Sequence, residues 1–415
     1  MNSSDFEFLY IVGRGGFGKV WSVKSKQTNK YYALKQMSKL KIIDKKSIKS
    51  INSERDLLSE LYSPFIVNMY YAFQDKEFLY LVMDLLTGGD LRYHFCRIHR
   101  FTEEETKFFI GCLLLGLEYI HNNNIIHRDI KPENLVCDKN GYIRITDFGI
   151  AKINKGDNST ETSGTPGYMA PEVLLAKNYT FTVDFFAIGV IGYEFMLGKR
   201  PYNGSNRKQI KSLILKAQIK IDKDKVGWSE ESVDFINRCL KRKESKRLGY
   251  TDGIEELKNH KWFNGFDWDG VYKKTILAPF VPKKEGNYDK SYCELDEKLG
   301  QDTKNRYDSY TTRKNYEKLT GVSVFIAYHI LWVFRNTFSS QIRNFSLLKN
   351  CDSHFLSCFT VNSESRSAMW RKSAALKTSP RMRVSKPSAV SACSICSFDT
   401  PATWEDTALT RVLRR

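Results

Sequence analysis

The sequence lacks any apolar run long enough to cross a bilayer. Its longest, Val322–Phe334, has thirteen residues, whereas a transmembrane helix needs about 20. The first ten residues, MNSSDFEFLY, contain no basic stretch followed by an apolar one, so we expect no secretory signal. Asn2 stands where N-myristoylation requires a glycine. We therefore expect no transmembrane span, and only peripheral membrane contact through the C-terminal tail.

The sequence also lacks a disulfide framework. Its nine cysteines are scattered along the chain and odd in number, which is typical of reduced thiols rather than paired ones. This pattern predicts a cytoplasmic location, with the nucleus as the alternative.

Acidic residues are fewer than basic ones, 47 against 65, which gives a formal net charge of +18. Such an excess favours anionic ligands. The basic residues do not form a recognisable nucleic-acid-binding module, so we expect no nucleic-acid partner.

The most informative stretch is Ile125–Val136 (IIHRDIKPENLV), which is followed ten residues later by Thr146–Gly149 (TDFG). Phosphoryl transfer requires a carboxylate that orients the attacking hydroxyl, oxygen ligands for magnesium, and positive charge near the phosphate. His-Arg-Asp, an asparagine five residues after the aspartate, and then Asp-Phe-Gly supply these groups at the spacing of a protein-kinase catalytic loop.

A glycine-rich segment, Tyr10–Val20 (YIVGRGGFGKV), lies upstream of this stretch. Side chains in such a turn would keep backbone amides away from a phosphate, so we expect the backbone to close over phosphates at Gly13, Gly15 and Gly18. Dinucleotide-binding folds share the G-x-G-x-x-G letters, but here a strand rather than a helix continues the chain. The next strand, Tyr31–Lys35 (YYALK), ends in a lysine.

A helical pattern follows at Ile51–Leu61 (INSERDLLSEL). Its apolar residues recur at helical spacing and are expected in the core. Glu54 is the predicted ion-pair partner of Lys35, and Glu60 is the alternative.

The order of the patterns predicts an α+β, bilobal fold with a small β-rich N-lobe and a larger α-helical C-lobe. Two strands, Val67–Gln74 and Phe78–Met83, precede a glycine-containing hinge at Asp84–Asp90, and helical spacing follows. Thr102–Glu105 is a capping box that opens one of these helices. We predict an N-lobe at residues 1–83, a hinge and C-lobe at 84–264, a C-terminal strap at 265–300, and a linker and tail at 301–415.

The C-terminal part has a different composition. Val322–Phe334 places Phe325, Tyr328 and Trp332 at helical spacing, which predicts docking on the small lobe, on a membrane face or on a partner. From about residue 340 the chain is Ser-rich and basic, a composition typical of disorder. A shifted reading frame in the gene is an alternative explanation for this change.

Residues 8–263 resemble the protein kinases. The stretches DLLTGGDLRYH, DFGIAK and ILAPFVPKK resemble the AGC serine/threonine kinases, and within them are most similar to the YANK group (the serine/threonine-protein kinase 32 family). Two AGC features are absent from the sequence, an FDxxY tether and an FxxF[ST]F end motif. The resemblance implies a monomer that uses ATP and two Mg²⁺ ions to phosphorylate Ser or Thr in proteins.

The resemblance also implies a role for each site residue. Lys35, oriented by Glu54, would hold the α- and β-phosphates, and Asp129 would orient the substrate hydroxyl or accept its proton. Lys131 would place a cation beside the γ-phosphate, and Asn134 and Asp147 would bind the metal. The predicted ATP-binding residues are Val12, Gly13, Arg14, Gly15, Gly16, Phe17, Gly18, Val20, Ala33, Lys35, Met83, Asp84, Leu86, Asp90, Val136 and Asp147.

Four further residues would contact the substrate. Asp90, Glu133 and Glu194 fall where AGC kinases bind arginines upstream of the acceptor, which predicts a preference for Arg two and three residues before it. Alternatively, Asp90 contacts only ribose and Glu133 only solvent. Thr165, in Gly164–Tyr168 (GTPGY), belongs to the serine/threonine pattern.

The activation segment carries the predicted regulatory residues. Arg128 would bind a negative charge on the activation segment. Counting back from Gly164 puts the usual phosphothreonine position on Glu161. Either this carboxylate is a built-in substitute for phosphate, or Thr160 or Thr162 is phosphorylated. We also predict that Glu172 pairs with Arg247 and that Asp184 binds the catalytic-loop backbone. Leu58, His127 and Phe148 are predicted to stack as an apolar column.

A catalytically inactive kinase homologue that acts as a scaffold is the competing hypothesis. It predicts the loss of a residue that handles phosphate or metal, and the sequence retains them all: Lys35, Asp129, Asn134 and Asp147.

Overall fold

The computed structural model describes residues 1–159, 161–223 and 227–283, together with the backbone of residues 325 and 326. The N-terminal part is an antiparallel sheet in the order β1-β2-β3-β5-β4. Its strands are β1 (Phe6–Arg14), β2 (Gly18–Ser25), β3 (Tyr31–Ser38), β4 (Met69–Gln74) and β5 (Phe78–Met83).

The sheet separates two apolar clusters because its side chains alternate between its faces. One face carries a small aromatic-rich cluster that includes Phe6, Tyr32 and Phe73. The other face packs on two helices, α1 (Lys39–Asp44) and α2 (Ile48–Glu60). Helix α2 begins three residues before the predicted start and buries four side chains, Ile51, Glu54, Leu57 and Leu58.

A sixth strand, β10 (Phe325–Ile326), extends the sheet at its β4 edge. Phe325 is opposite Ala72 and Ile326 is opposite Tyr71, in antiparallel register. The predicted apolar segment therefore reaches the small lobe at these two residues, where its backbone is a strand rather than the expected helix. The rest of Val322–Phe334 lies outside the described residues.

Residues 84–90 form no helix or strand, which agrees with the predicted hinge, and helices dominate after it. They are α3 (Leu91–Ile98), α4 (Glu103–Asn122), α5 (Pro171–Leu174), α6 (Thr182–Leu197), α7 (Arg207–Lys216), α8 (Glu230–Cys239), α9 (Ile254–Lys258) and α10 (Trp268–Lys273). The predicted capping box opens α4: Thr102 Oγ1 accepts the Glu105 amide, and Glu105 Oε2 accepts the Thr102 amide. None of the helices in the described residues is long and apolar enough to cross a membrane.

Two short antiparallel strand pairings flank the loop of residues 127–134. Strand β6 (Ile125–Ile126) pairs with β9 (Lys152–Ile153), and β7 (Leu135–Cys137) pairs with β8 (Ile143–Ile145). Because β6 and β7 flank residues 127–134, both ends of this loop are anchored by strands.

The predicted strap packs on the C-lobe as far as it is described, to residue 283. The ring of Phe280 lies 4.9 Å from the ring of His94 and 5.7 Å from that of Phe101. The hydroxyl of Tyr142 donates to the carbonyl of Ile276 at 2.6 Å. This part of the strap contains helix α10, which sequence periodicity did not indicate. The four predicted domain limits stay predictions.

Candidate active site

A cavity of about 630 Å³ lies between the two lobes. All of the predicted ATP-binding residues line it except Asp90, which caps helix α3 instead. Met83 is on the cavity wall at the end of β5, where the chain leaves the sheet. The wall also includes residues that we did not predict to bind ATP, namely Lys19, Met37, Ser47, Ser50, Ile51, Leu58, Val67, Leu85, Glu133, Thr146, Gly149 and Ile150.

The carboxylate of Asp84 has a structural role that the sequence did not indicate. Its Oδ2 accepts hydrogen bonds from the Asn68 side chain at 2.8 Å and from Arg144 at 2.5 Å, and its Oδ1 accepts one from Tyr70. The predicted contact of Asp84 with a nucleotide therefore does not involve this carboxylate as the structure places it.

Gly18 has an additional reason to be glycine, which we did not predict. A Cβ atom there would lie 1.8 Å from the carbonyl oxygen of Gln36 on β3, so glycine permits the close approach of two strands. At Gly13 and Gly15 an added Cβ would meet no protein atom within 4 Å. The space beside these two glycines is therefore open, as the predicted approach of a phosphate requires.

Lys35 and Glu54 form an ion pair that joins β3 to α2, with Nζ 2.6 Å from Oε1. Glu54 is buried, whereas the alternative partner Glu60 is exposed. Burial opposes the charge on Lys35, but the negative charges of Glu54 and Asp147 outweigh it and raise the pKa of Lys35. The lysine is therefore held as a cation at the cavity wall.

Asp129 is the centre of a hydrogen-bond network in the catalytic loop. Its Oδ2 accepts from Lys131 Nζ at 2.6 Å and from Asn134 Nδ2 at 3.1 Å. Its Oδ1 accepts from the amide of Thr165 at 3.0 Å and from the hydroxyl of the same residue at 2.6 Å. Burial opposes ionisation of Asp129, but the bonds from Lys131 and Thr165 prevail and lower its pKa.

The backbone beside Asp129 is held by Asp184 of helix α6. Asp184 Oδ2 accepts the amide of His127 at 3.0 Å, and Oδ1 accepts the amide of Arg128 at 2.9 Å. Arg128 has a φ of 70°, a conformation that a non-glycine residue adopts only when its surroundings impose it. His127 also contacts Phe148, with the ring centroids 5.2 Å apart.

Asn134 and Asp147 supply oxygen donors of the kind that Mg²⁺ prefers. The Nδ2 of Asn134 donates to the backbone and side chain of Asp129, so Oδ1 is the atom of this amide that would bind a metal. Within the described residues there is no cluster of three or more His, Cys, Asp or Glu that could enclose a metal. Two protein donors beside a large cavity fit Mg²⁺, because this ion takes its other ligands from phosphates and water.

Glu161 of the activation segment lies against Arg128. Its Oε2 is 2.7 Å from Arg128 Nη1, and its Oε1 is 3.1 Å from Lys152 Nζ. The hydroxyl of Tyr179 accepts from the same Arg128 Nη1 at 2.8 Å and donates to the Glu161 carbonyl at 3.0 Å. Burial opposes ionisation of the Glu161 carboxyl, but the bonds from Arg128 and Lys152 outweigh burial and lower its pKa.

Of the two alternative phosphosites, Thr162 is exposed and Thr160 lies outside the described residues. The regulatory roles of all three positions stay predictions. Lys152 and Tyr179 were not predicted as partners, although Lys152 ends the DFGIAK stretch.

Glu172 and Arg247 form the pair that we predicted at the end of the activation segment. Arg247 Nη2 donates to Glu172 Oε2 at 2.9 Å, and Nη1 donates to the carbonyl of Thr182 at 3.0 Å. Both charged side chains are buried.

The three predicted substrate carboxylates already have partners within the chain. Asp90 Oδ1 accepts the amide of Tyr93 at 2.8 Å and so caps α3. Arg92 donates to Glu133 at 3.0 Å and to Glu194 at 2.8 Å. The sequence analysis did not identify Arg92, because nothing in its local pattern indicates partners so far along the chain.

Residues 6–263 match the protein kinase domain family. The chain therefore belongs to the protein kinase family, with a β-rich N-lobe and a helical C-lobe. It is 41% identical over 288 residues to a probable serine/threonine-protein kinase of Dictyostelium discoideum, a match that covers 69% of this chain and 62% of the relative.

Other relatives are AGC-like. Identity is 36% over 292 residues to the cAMP-dependent protein kinase catalytic subunit of Dictyostelium discoideum, covering 70% of this chain and 44% of the relative. The chain is 38% identical over 289 residues to the serine/threonine-protein kinase Sgk1 of Danio rerio, a match that covers 69% of this chain and 66% of the relative. The chain thus spans less than two thirds of the length of these relatives.

Proposed function

We propose that this chain is a serine/threonine protein kinase that uses ATP and Mg²⁺ to phosphorylate hydroxyls in proteins. The observation that carries the proposal is the network around Asp129. A carboxylate held ionised by Lys131 and Thr165 lies in the catalytic loop that borders the cavity. Across that cavity, Lys35 is fixed by Glu54.

Each residue contributes by position and charge. Asp129 remains ionised at neutral pH, so it accepts a hydrogen bond from the substrate hydroxyl and orients it, taking up the proton as the hydroxyl attacks. Lys35 binds the α- and β-phosphates, and Lys131 provides positive charge beside the group that is transferred. Asn134 and Asp147 would hold Mg²⁺, two ions in our proposal, which neutralises charge on the phosphate oxygens.

Several finer proposals accompany this one. The hinge sequence and the strap support placement near the YANK group of AGC kinases. The free cysteines of the described part, Cys96, Cys112, Cys137 and Cys239, support a cytoplasmic location. We also propose a monomer. A preference for basic residues near the acceptor would depend on Asp90, Glu133 and Glu194, and two of these carboxylates, Glu133 and Glu194, are already bonded by Arg92.

The test is turnover of a Ser-containing peptide with Mg²⁺ and ATP by the parent chain and by Asp129→Asn. We expect the variant to lose activity by about a hundredfold or more, because an amide cannot orient and deprotonate the hydroxyl in the same way. Its affinity for a non-hydrolysable ATP analogue and its melting temperature should stay close to those of the parent.

The opposite outcome would be a parent chain that binds ATP but phosphorylates neither the peptide nor a generic protein substrate. That result would favour the scaffold hypothesis and would remove the proposed function.

A further inference from the structure

Arg92 is the second residue of helix α3, and its side chain is only 17% exposed. Its guanidinium group makes four hydrogen bonds to three side chains. Nε donates to Glu133 Oε1 at 3.0 Å, Nη1 to Glu194 Oε1 at 2.8 Å, and Nη2 to Glu194 Oε2 at 3.0 Å. Nη2 also donates to the hydroxyl of Tyr168 at 2.5 Å.

The arrangement is the two-pronged geometry in which arginine binds carboxylates most strongly. The Glu194 carboxylate is 3% exposed and needs a cation nearby. Arg200 also approaches it, with Nε 3.5 Å from Oε1, but its side chain is 41% exposed. Arg92 is therefore the principal buried counterion of this carboxylate.

This cluster lies beside the site where an acceptor hydroxyl would bind. Glu133 is in the catalytic loop, two residues after Lys131, and lines the cavity. Tyr168 follows Thr165 by three residues, and Thr165 bonds directly to Asp129. A substrate segment whose hydroxyl approaches Asp129 would therefore pass close to the cluster.

An acidic pocket beside the acceptor would ordinarily select a substrate arginine. Here both carboxylates already accept hydrogen bonds from an arginine of the chain itself. A substrate guanidinium would have to displace Arg92 and leave that cation without its partners, which cancels most of the gain.

We propose that Arg92 is a specificity-determining residue that occupies the pocket of Glu133, Glu194 and Tyr168 in place of a substrate arginine. The chain should consequently accept segments with uncharged residues next to the acceptor as well as it accepts basic ones. This role in substrate specificity rests on the proposed kinase function, but the first test measures only peptide binding.

Two peptides serve as probes, both with Ala in place of the acceptor Ser. One has Arg at the second and third positions before the acceptor, and the other has Gln there. Their affinities for the full chain are measured by fluorescence anisotropy. We expect the parent to distinguish them by less than about threefold, and Arg92→Gln to prefer the Arg peptide by about tenfold or more, the size of one charge-assisted bond.

Arg97→Gln is the matched control, because Arg97 is on the same helix but stacks on Tyr93 outside the cluster. It should behave like the parent. The double variant Arg92→Gln/Glu194→Gln should lose the preference that Arg92→Gln gains, because the pocket then lacks its main carboxylate.

Removing Arg92 takes away the main buried counterion of Glu194 and leaves only the more exposed Arg200 near it, so the melting temperature of each variant is measured as well. If Arg92→Gln does not fold, the same peptide-binding test is carried out with Arg92→Lys, which keeps a cation but loses the two-pronged geometry. It should then prefer the Arg peptide by at least about threefold, a part of the single-bond effect.

A parent that prefers the Arg peptide by tenfold, or a folded Arg92 variant that gains no preference, would overturn the proposal. Parallel turnover of the Ser-containing peptides separates the two proposals. Absence of turnover in every protein would remove the kinase function, whereas the binding result would still decide the role of Arg92.

Discussion

The two residues that would handle phosphate and metal differ in how much the fold depends on them. Lys35 is paired with Glu54, whose side chain is 3% exposed, so removing the lysine leaves a carboxylate buried without its cation. Asp147 lines the cavity, and within the described part of the chain its Oδ1 accepts a long bond from the Gly149 amide, at 3.3 Å. Substituting Lys35 should therefore affect both stability and activity, whereas substituting Asp147 should affect activity alone.

We expect Asp147→Asn to remove almost all phosphoryl transfer at an unchanged melting temperature, because it alters a metal donor without disturbing a buried contact. Lys35→Met should remove transfer and also lower the free energy of unfolding by about 1–3 kcal/mol, the cost of an unsatisfied buried group. Peptide turnover and thermal melting measure the two effects.

Adding Glu54→Gln to Lys35→Met provides the control for this difference. The second substitution removes the unpaired charge, so part of the lost stability should return while activity stays absent. Turnover by either single variant close to that of the parent would contradict the assigned roles.

At the scale of elements, the activation segment contains its own negative charge. Glu161 contacts Arg128 of the catalytic loop and Lys152 of β9. It therefore links two elements that a phosphate at this position would also link. A carboxylate carries one charge and two acceptor oxygens, whereas a phosphate carries about −1.5 to −2 and three.

We expect unphosphorylated Glu161→Ala to lose activity by about tenfold, because Arg128 and Lys152 lose charge-assisted bonds. A Thr160→Ala/Thr162→Ala variant should keep the activity of the parent. Initial rates with one Ser-containing peptide measure both. Glu161→Gln is the matched control, since it keeps the shape of the side chain and removes its charge.

If the double threonine variant loses most of its activity while Glu161→Ala retains it, phosphorylation rather than the fixed acid controls the segment. Mass spectrometry of the parent would then locate phosphate on one of these threonines.

The same elements indicate how much of the site could be predicted. The catalytic loop could be predicted because its residues are close in sequence and their spacing is dictated by the chemistry. Arg92 could not, because its partners are 41 and 102 residues away along the chain. Ion pairs of this kind depend on how the helices pack, and no periodicity in α3 indicates them.

Fold prediction was limited in a similar way. The lobes, the hinge and helix α4 follow from periodicity and a capping box that lie within single segments. Strand β10 did not, because Phe325 and Ile326 form a strand through pairing with β4, whereas the spacing of Phe325, Tyr328 and Trp332 indicated a helix. The reason for Gly18 was also inaccessible, since it depends on the carbonyl of Gln36 on the neighbouring strand.

At the scale of the whole molecule, buried histidines make stability depend on pH. Burial lowers the pKa of His94, His127 and His260 below the ordinary value of 6.5. Below that pH the unfolded chain binds protons that the folded chain does not. The free energy of unfolding should therefore fall as the pH drops from 6.5, and level off below the folded-state pKa values.

Urea unfolding at about pH 7.5, 6.5 and 5.5 tests this prediction, because carboxylates titrate mainly near pH 4. The midpoint should fall between pH 6.5 and 5.5 and change less above 6.5. His94→Asn should reduce the fall of the urea midpoint between pH 6.5 and 5.5. His99→Asn, which changes an exposed histidine at the end of α3, should preserve more of this fall. A midpoint independent of pH across this range would contradict the prediction.

The buried pair of Glu172 and Arg247 has a consequence for the synthesis of the chain. The two residues are 75 positions apart, so Glu172 leaves the ribosome well before its partner exists. Until Arg247 has emerged, folding the end of the activation segment would bury a carboxylate without a cation, which is strongly unfavourable. The end of the activation segment should thus fold only after translation has passed this arginine.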